Sequence, residues 1–275
     1  MPNETENWTR EYYDDFGDVY ETVWNEQVHT GKFENNEDLK IATERMNSFL
    51  ADLVEVKPES EILNIGSGRG GADRFLAQKY SARIIGLDLS QKQINLARQR
   101  IPENESHNIN YVQGSMTSLP FSKSNFDILW IQESFFHCTD KTQAMAEFKR
   151  VLKPGGKIIM EDTVLGSKEA ELEVVEVFGK RVNVSKLLTA EEYETLAKQT
   201  GLVPIKKLDL TKNLEKTYQT IAEHIKKNFQ EIRTKIPQKY QEKLVSYFGF
   251  PESERLAREG KLACYAFVFQ KPANS

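Results

Sequence analysis

The sequence is poor in the residues that staple or anchor a chain. Its 275 residues hold two cysteines, Cys138 and Cys264, and four histidines. Two cysteines make no disulfide framework, and a reducing cytoplasm is the expected setting. No His, Cys and carboxylate residues fall at metal-ligand spacing, so no metal is expected. No apolar run approaches the roughly 18–20 residues of a membrane span, and no membrane partner is expected. The opening residues, Met1-Pro2-Asn3-Glu4-Thr5-Glu6, are polar and acidic, unlike a signal peptide. Long Lys/Arg blocks are missing and the formal net charge is −4. Nucleic-acid backbones call for clustered cations, so no nucleic-acid partner is expected. Repeats and low-complexity tracts are missing too.

What is present suits a globular domain: 39% hydrophobic residues, 28% charged, and length for one large α/β unit. The stretch Glu61 to Ser90, EILNIGSGRGGADRFLAQKYSARIIGLDLS, organises the rest. An apolar run meets the glycine cluster Gly66-Ser67-Gly68-Arg69-Gly70-Gly71. A helix-compatible segment follows, then a second apolar run ending in Asp88. Strand, glycine turn, helix and strand in this order predict a parallel sheet with a nucleotide-type ligand at its carboxyl edge. Glycines let the backbone approach a ligand, and the helix start offers unpaired N–H groups. A carboxylate after the second strand can accept from both ribose hydroxyls. This stretch alone fits S-adenosylmethionine and NAD equally, because Gly66, Gly68 and Gly71 with Asp88 also match the dinucleotide fingerprint.

Around this unit, residues 9–24 carry Tyr12, Tyr13, Phe16, Tyr20, Val23 and Trp24, which suits a packed amphipathic helix or an aromatic lid. Residues 37–55 carry an apolar stripe at helical spacing. Ser90 is placed to cap the next helix. Further strands are predicted at Asn108–Gly114, Phe126–Ile131 and Lys157–Met160, the last after a tight Lys153-Pro154-Gly155-Gly156 turn. Thr189 and Glu192 form a capping box for a helix over 189–200. A sixth strand follows at 201–208. Residues 211–260 are helical by the spacing of Tyr218, Ile221, Ala222, Ile225, Phe229, Ile232 and Ile236, with Pro237 and Pro251 as breaks. Residues 264–269 make the last strand.

The order LNIGSGRGG, IIGLDLS, GSMTSLPFSKSNFDILWIQES and RVLKPGGKIIMED resembles the class I S-adenosylmethionine-dependent methyltransferases. With YYDDFGDVYETVWNEQVHTGKFE, the resemblance narrows to sugar O-methyltransferases of the rebeccamycin type and to sarcosine/dimethylglycine N-methyltransferases. It implies a doubly wound α/β fold, a seven-stranded Rossmann-like sheet whose last strand is antiparallel. An N-terminal lid (1–36), a core (37–210), a helical cap (211–260) and a last strand with tail (261–275) follow from it. S-adenosyl-L-methionine is the implied cofactor and a small molecule the implied partner. Gly66, Ser67, Gly68, Asp88, Leu89, Gln93, Ser115, Met116 and Gln132 are the implied cofactor contacts. Asn64 stands where many relatives carry Asp.

Two residues are expected to act on the acceptor. His137, beside Phe135 and Phe136 past the fourth strand, is a candidate base with an ordinary pKa near 6.5. Phe136 replaces the first His of the pair found in the sugar enzymes. Asp162, at the end of the fifth strand, would orient His137 or bind the acceptor. The two strands are expected to lie apart, with strand one between them. Tyr20, Trp24, His29 and Phe135 are the expected substrate contacts. A hydroxyl acceptor is preferred, with a small amine as the alternative. A non-catalytic S-adenosylmethionine-binding protein is a further alternative.

Overall fold

A computed structural model describes residues 4–105, 107–235, 238 and 250–274 of the chain. Seven strands form one sheet in the order β3-β2-β1-β4-β5-β7-β6. They are β1 (Glu61–Ile65), β2 (Arg83–Asp88), β3 (Ile109–Gln113), β4 (Phe126–Gln132), β5 (Leu152–Leu165), β6 (Val203–Asp209) and β7 (Leu262–Gln270). β1 to β5 pair in parallel, while β7 runs antiparallel to both β5 and β6. The strand order reverses between β1 and β4, which opens a crevice at their carboxyl ends.

The helices follow from sequence. α1 spans Glu4–Val23, α2 Leu39–Val54, α3 Gly71–Tyr80, α4 Gln91–Gln99 and α5 Lys141–Val151. Ser90 caps α4 by accepting from the Gln93 N–H, as its position predicted. The short helices α6 (Glu171–Val174) and α7 (Lys180–Val182) flank a π-turn at Val175–Gly179. α8 (Ala190–Gln199) starts with the Thr189/Glu192 capping box. α9 runs Thr211–Lys235 with a break in helical geometry at Asn228, and α10 runs Phe250–Arg258. Ile236 and Pro237 of the cap segment lie outside the described residues.

Alternation along the strands feeds two cores. Ile62, Ile84, Ile128, Trp130 and Ile159 face one side with Leu50, Leu76 and Tyr218. Leu63, Leu129, Ile131, Ile158 and Met160 face the other with Phe148 and Tyr193. Both faces of the inner strands are covered, so they read as continuous apolar runs. Each fully buried Ile or Leu contributes about 1.5–3 kcal/mol.

Three expectations need correction. β1 lies between β2 and β4, and β4 pairs directly with β5, with Gln132 opposite Glu161. The ends of β4 and β5 are therefore neighbours. Lys153-Pro154-Gly155-Gly156 is an excursion inside β5, between the Phe126–Leu152 and Ile128–Lys157 pairs. β5 also runs past Met160 to Leu165, because β7 is long enough to pair with it to the end. Asp162 is thus mid-strand.

Candidate active site

At the end of β1 the chain turns through Gly66, with φ +78°, and Gly68, with φ +54°. A Cβ on Gly68 would meet nothing within 4 Å, so the backbone here faces open cavity. Its N–H donates to Asp88 Oδ2 at 2.9 Å, and the Ser90 N–H donates to Oδ1 at 2.8 Å. Backbone donors thus fix the carboxylate at the end of β2, although burial pushes its pKa up. The first turn of α3 has no side-chain cap and offers its N–H groups to the cavity. Ser67 Oγ and Gln132 Nε2 have no hydrogen-bond partner in the structure, and both residues line the same cavity. Open turn, fixed carboxylate and orphan donors fit an adenosine-bearing amino acid.

α1 lies across this cavity. Arg69 of the glycine turn pairs with Asp18 at 2.5 Å and with Glu21, and Arg74 pairs with Glu26 at 2.6 Å. Gln93 Nε2 donates to the Tyr13 carbonyl at 2.8 Å and Oε1 accepts from Arg69 Nε at 3.0 Å. Gly17 permits the close approach, since a Cβ there would sit 2.5 Å from Gln93 Nε2. The segment is both a packed helix and a cover.

Toward β5 and α9 the surroundings change, with Glu133 on the cavity wall and Arg181 outside the lining. Glu133, the first residue after β4, adopts a left-handed φ of +46° that turns its side chain toward β5. Its carboxylate accepts from Thr30 at 3.0 Å and from Thr163 at 2.8 and 3.1 Å. Arg181, just past the π-turn, is buried against the rings of Phe178, Tyr218 and Phe250, 5.2, 5.4 and 4.6 Å from the guanidinium carbon. Its Nη2 donates to Tyr218 Oη at 3.3 Å and its Nε has no partner. Tyr12 and Tyr20 share a 2.7 Å hydrogen bond on the lid face. α9 closes the side: Thr217 accepts from the Gly31 N–H at 3.0 Å.

His137 Nε2 lies 3.0 Å from the Tyr13 hydroxyl. Burial, helped by the Lys141 charge, pushes His137 down to about 3. The ring is neutral at pH 7, and the Tyr13 hydroxyl, whose own pKa burial raises, stays protonated. This places His137 below the ordinary imidazole value near 6.5.

The description "Methyltransferase domain" matches residues 63–160. A glycine/sarcosine/dimethylglycine N-methyltransferase of Actinopolyspora halophila is 31% identical over 84% of this chain. This chain spans only 42% of that protein's length. A sarcosine/dimethylglycine N-methyltransferase of Halorhodospira halochloris is 27% identical over 95% of each chain. A 27-O-demethylrifamycin SV methyltransferase of Amycolatopsis mediterranei (strain S699) is 27% identical over 81% of this chain and 84% of that one. A solved structure from Galdieria sulphuraria, described as a sarcosine dimethylglycine methyltransferase, aligns with TM-score 0.84 at 25% identity, covering 95% of this chain and 99% of that one. The chain belongs to the S-adenosylmethionine-dependent methyltransferases. S-adenosylmethionine is its cofactor, and its acceptors are small molecules.

In this methyltransferase, Gly66, Ser67, Gly68, Asp88, Leu89, Gln93, Met116, Gln132, Tyr20, His29 and His137 line one cavity. Ser115 sits just outside it, its hydroxyl bonded to Glu6 and, at 2.8 Å, to Thr117. Asn64 donates to Asp73 at 2.6 Å, so the acid missing from β1 sits one turn away on α3. Three expected residues fall elsewhere. Phe135 is buried between Phe148 and Tyr193. Trp24 packs on Tyr218 and Phe250 and donates to the His29 carbonyl at 2.9 Å. Asp162 is fully buried and accepts from the Tyr193 hydroxyl at 2.7 Å. No hydrogen bond joins it to His137 among the described residues. His29 is tied to the Thr30 carbonyl at 3.0 Å and pushed down to about 4 by burial. Among the described residues, no helix is long and apolar enough to cross a membrane.

Sequence reading missed Glu133, Arg181 and the partnership of Tyr13. Glu133 had a signal, a carboxylate at the carboxyl end of a parallel strand. Arg181 had none, since it follows the last family motif.

Proposed function

We propose that this methyltransferase N-methylates a small amine that also carries an anionic group, such as a carboxylate. The observation that carries this is Arg181. A buried guanidinium is always charged, and here its neighbours are aromatic rings and one tyrosine hydroxyl. Among the described residues, no carboxylate lies within ion-pair distance of it. Buried charges want a partner, and an acceptor's anion would supply one. Glu133, which senses the Arg181 charge, offers a carboxylate suited to an ammonium. The tyrosine faces of α1 add cation–π attraction for a methylated nitrogen.

The preference for a hydroxyl acceptor gives way for a chemical reason. S-adenosylmethionine supplies an electrophilic methyl group, so the chain must place the nucleophile and exclude water. An alcohol would also need a strong base, and a His137 held near 3 and bonded to Tyr13 is a poor one. An amine needs only to shed its extra proton to a carboxylate. In this reading Tyr13 and His137 hold the lid against the β4 loop and wall the acceptor off.

The test is methyl transfer to a matched panel: sarcosine-like amino acids, the same amines as esters, and polyols. Turnover with the amino acids and sharp loss with the esters is expected. Turnover of the polyols with inert amino acids would overturn the reading.

A further inference from the structure

Behind Glu133 lies a second carboxylate that the reaction as described does not use. Glu161 of β5 is fully buried. Its Oε1 accepts from the Cys264 thiol at 3.2 Å, and its Oε2 has no hydrogen-bond partner in the structure. Chelating atoms of Glu133, Glu161 and Cys264 all lie within 4.8 Å of one another. The Glu133 N–H also donates to the Glu161 carbonyl at 2.8 Å, which locks the two residues side by side. Two ionised carboxyls cannot share so dry a space, because like charges at this range raise one pKa strongly.

We infer that Glu133 and Glu161 hold one proton between them and act as a single acid–base unit, with Glu133 touching the acceptor and Glu161 as its positioning residue. Burial pushes both carboxyls up, and the Glu133 charge adds to the rise at Glu161. Arg181, from α7, favours the ionised form of Glu133. Asp162 on β5, itself pushed up by burial, tied to Tyr193 and facing Lys141, raises Glu161 further. Tyr13, Tyr218 and Cys264 face the pair as neutral groups, each with a pKa raised by burial. The pair therefore carries one negative charge near neutral pH.

This rests on the proposed amine acceptor and gives its nitrogen a route to reactivity. An N–H bond of the ammonium breaks, its electrons stay on nitrogen as the lone pair, and the proton forms an O–H bond on Glu133. The pair is then doubly protonated and neutral, and returns one proton to solvent after product leaves. Had only one carboxylate been present, it would stay charged and heavily desolvated between turnovers. The shared proton removes that cost while leaving one acceptor oxygen.

The experiment reads the proton directly. Infrared difference spectra of the full chain at neutral pH should show the carbonyl stretch of a protonated carboxyl that is lost in both Glu133→Gln and Glu161→Gln. The band must survive in Asp162→Asn, which separates the pair from its neighbour. A spectrum unchanged by either glutamine variant would overturn the proposal. So would one equivalent of zinc copurifying at this site, since the cation would stand in the proton's place. A second readout is calorimetry with a trimethylammonium carboxylate, a fixed cation without an N–H, in buffers of different ionisation enthalpy. Its binding should expel a fraction of a proton from the wild type and none from Glu161→Gln. Equal release by both overturns the pairing. If this ligand does not bind at all while the infrared band behaves as expected, it is the amine reading that fails and the pair that stands.

Discussion

The two ends of the cavity are built on different plans. The cofactor end uses backbone: the open turn at Gly68, N–H groups of Gly68 and Ser90 on Asp88, and the bare start of α3. Most of its parts come from one stretch of chain between β1 and α4, with Gln132 added from β4. The proposed acceptor end would use side chains from six separate segments: α1, the loop at Thr30, the end of β4, the middle of β5, the π-turn region and α9. Backbone chemistry tolerates change in neighbouring side chains. Side-chain chemistry does not, so one substitution can alter what the acceptor end binds. Relatives of this chain include both N- and O-methyltransferases.

Variants that touch one end only should sharpen this contrast. The largest effect is expected from Arg181→Met. Removing one partner of a buried ionic contact costs about 3–5 kcal/mol, so the KM of an anionic acceptor should rise by two orders of magnitude or more. The dissociation constant of S-adenosylmethionine, measured by calorimetry, should stay the same. A shared loss would break the division between the two ends. Asp88→Ala should do the reverse. Loss of a charged hydrogen-bond acceptor weakens cofactor binding by about 1.5–3 kcal/mol, with the fold intact by circular dichroism.

His29 lets stability be set apart from binding. Its folded pKa, about 4, lies below the unfolded value near 6.5. The unfolded chain takes up the proton first, so this contribution is full above about 6.5 and is lost as pH falls toward about 4. At pH 5 the loss is about 2 kcal/mol. Asp73, raised to about 6 by burial, acts in the opposite sense and is fully stabilising only below the ordinary carboxylate range. Urea midpoints at pH 7 and pH 5 should therefore converge more in His29→Gln than in the wild type. Equal acid sensitivity would remove His29 from the account. The smallest effect belongs to Tyr13→Phe, which deletes one hydrogen bond to His137 worth about 1 kcal/mol. It should raise acceptor KM several-fold and leave any neutral-pH limb of kcat unmoved, because His137 does not titrate there.

Legibility in the sequence follows the same division. The succession of strands along the chain, the Ser90 and Thr189 caps and the glycine turn were readable, since each depends on residues within a few positions. The neighbouring placement of β4 and β5 was not, because strand adjacency depends on crossovers that local pattern does not encode. Asp162 looked like a site residue because the apolar run pauses at Glu161. The strand in fact continues, carried by β7, and Asp162 points to Tyr193. Pairing of Glu133 with Glu161 needed the register of two strands. Arg181 needed the π-turn, which no apolar spacing announces.

The ion pairs joining α1 to the glycine turn bear on time as well as on shape. The lid's Asp18 is 64% exposed, whereas Arg69 beneath it is 7% exposed. Mobile ions can therefore compete for the outer partner of the latch. If spent cofactor leaves beneath this helix, its escape should quicken as salt is added. Stopped-flow release traces at rising ionic strength would show whether departure, rather than methyl transfer, sets the pace of turnover.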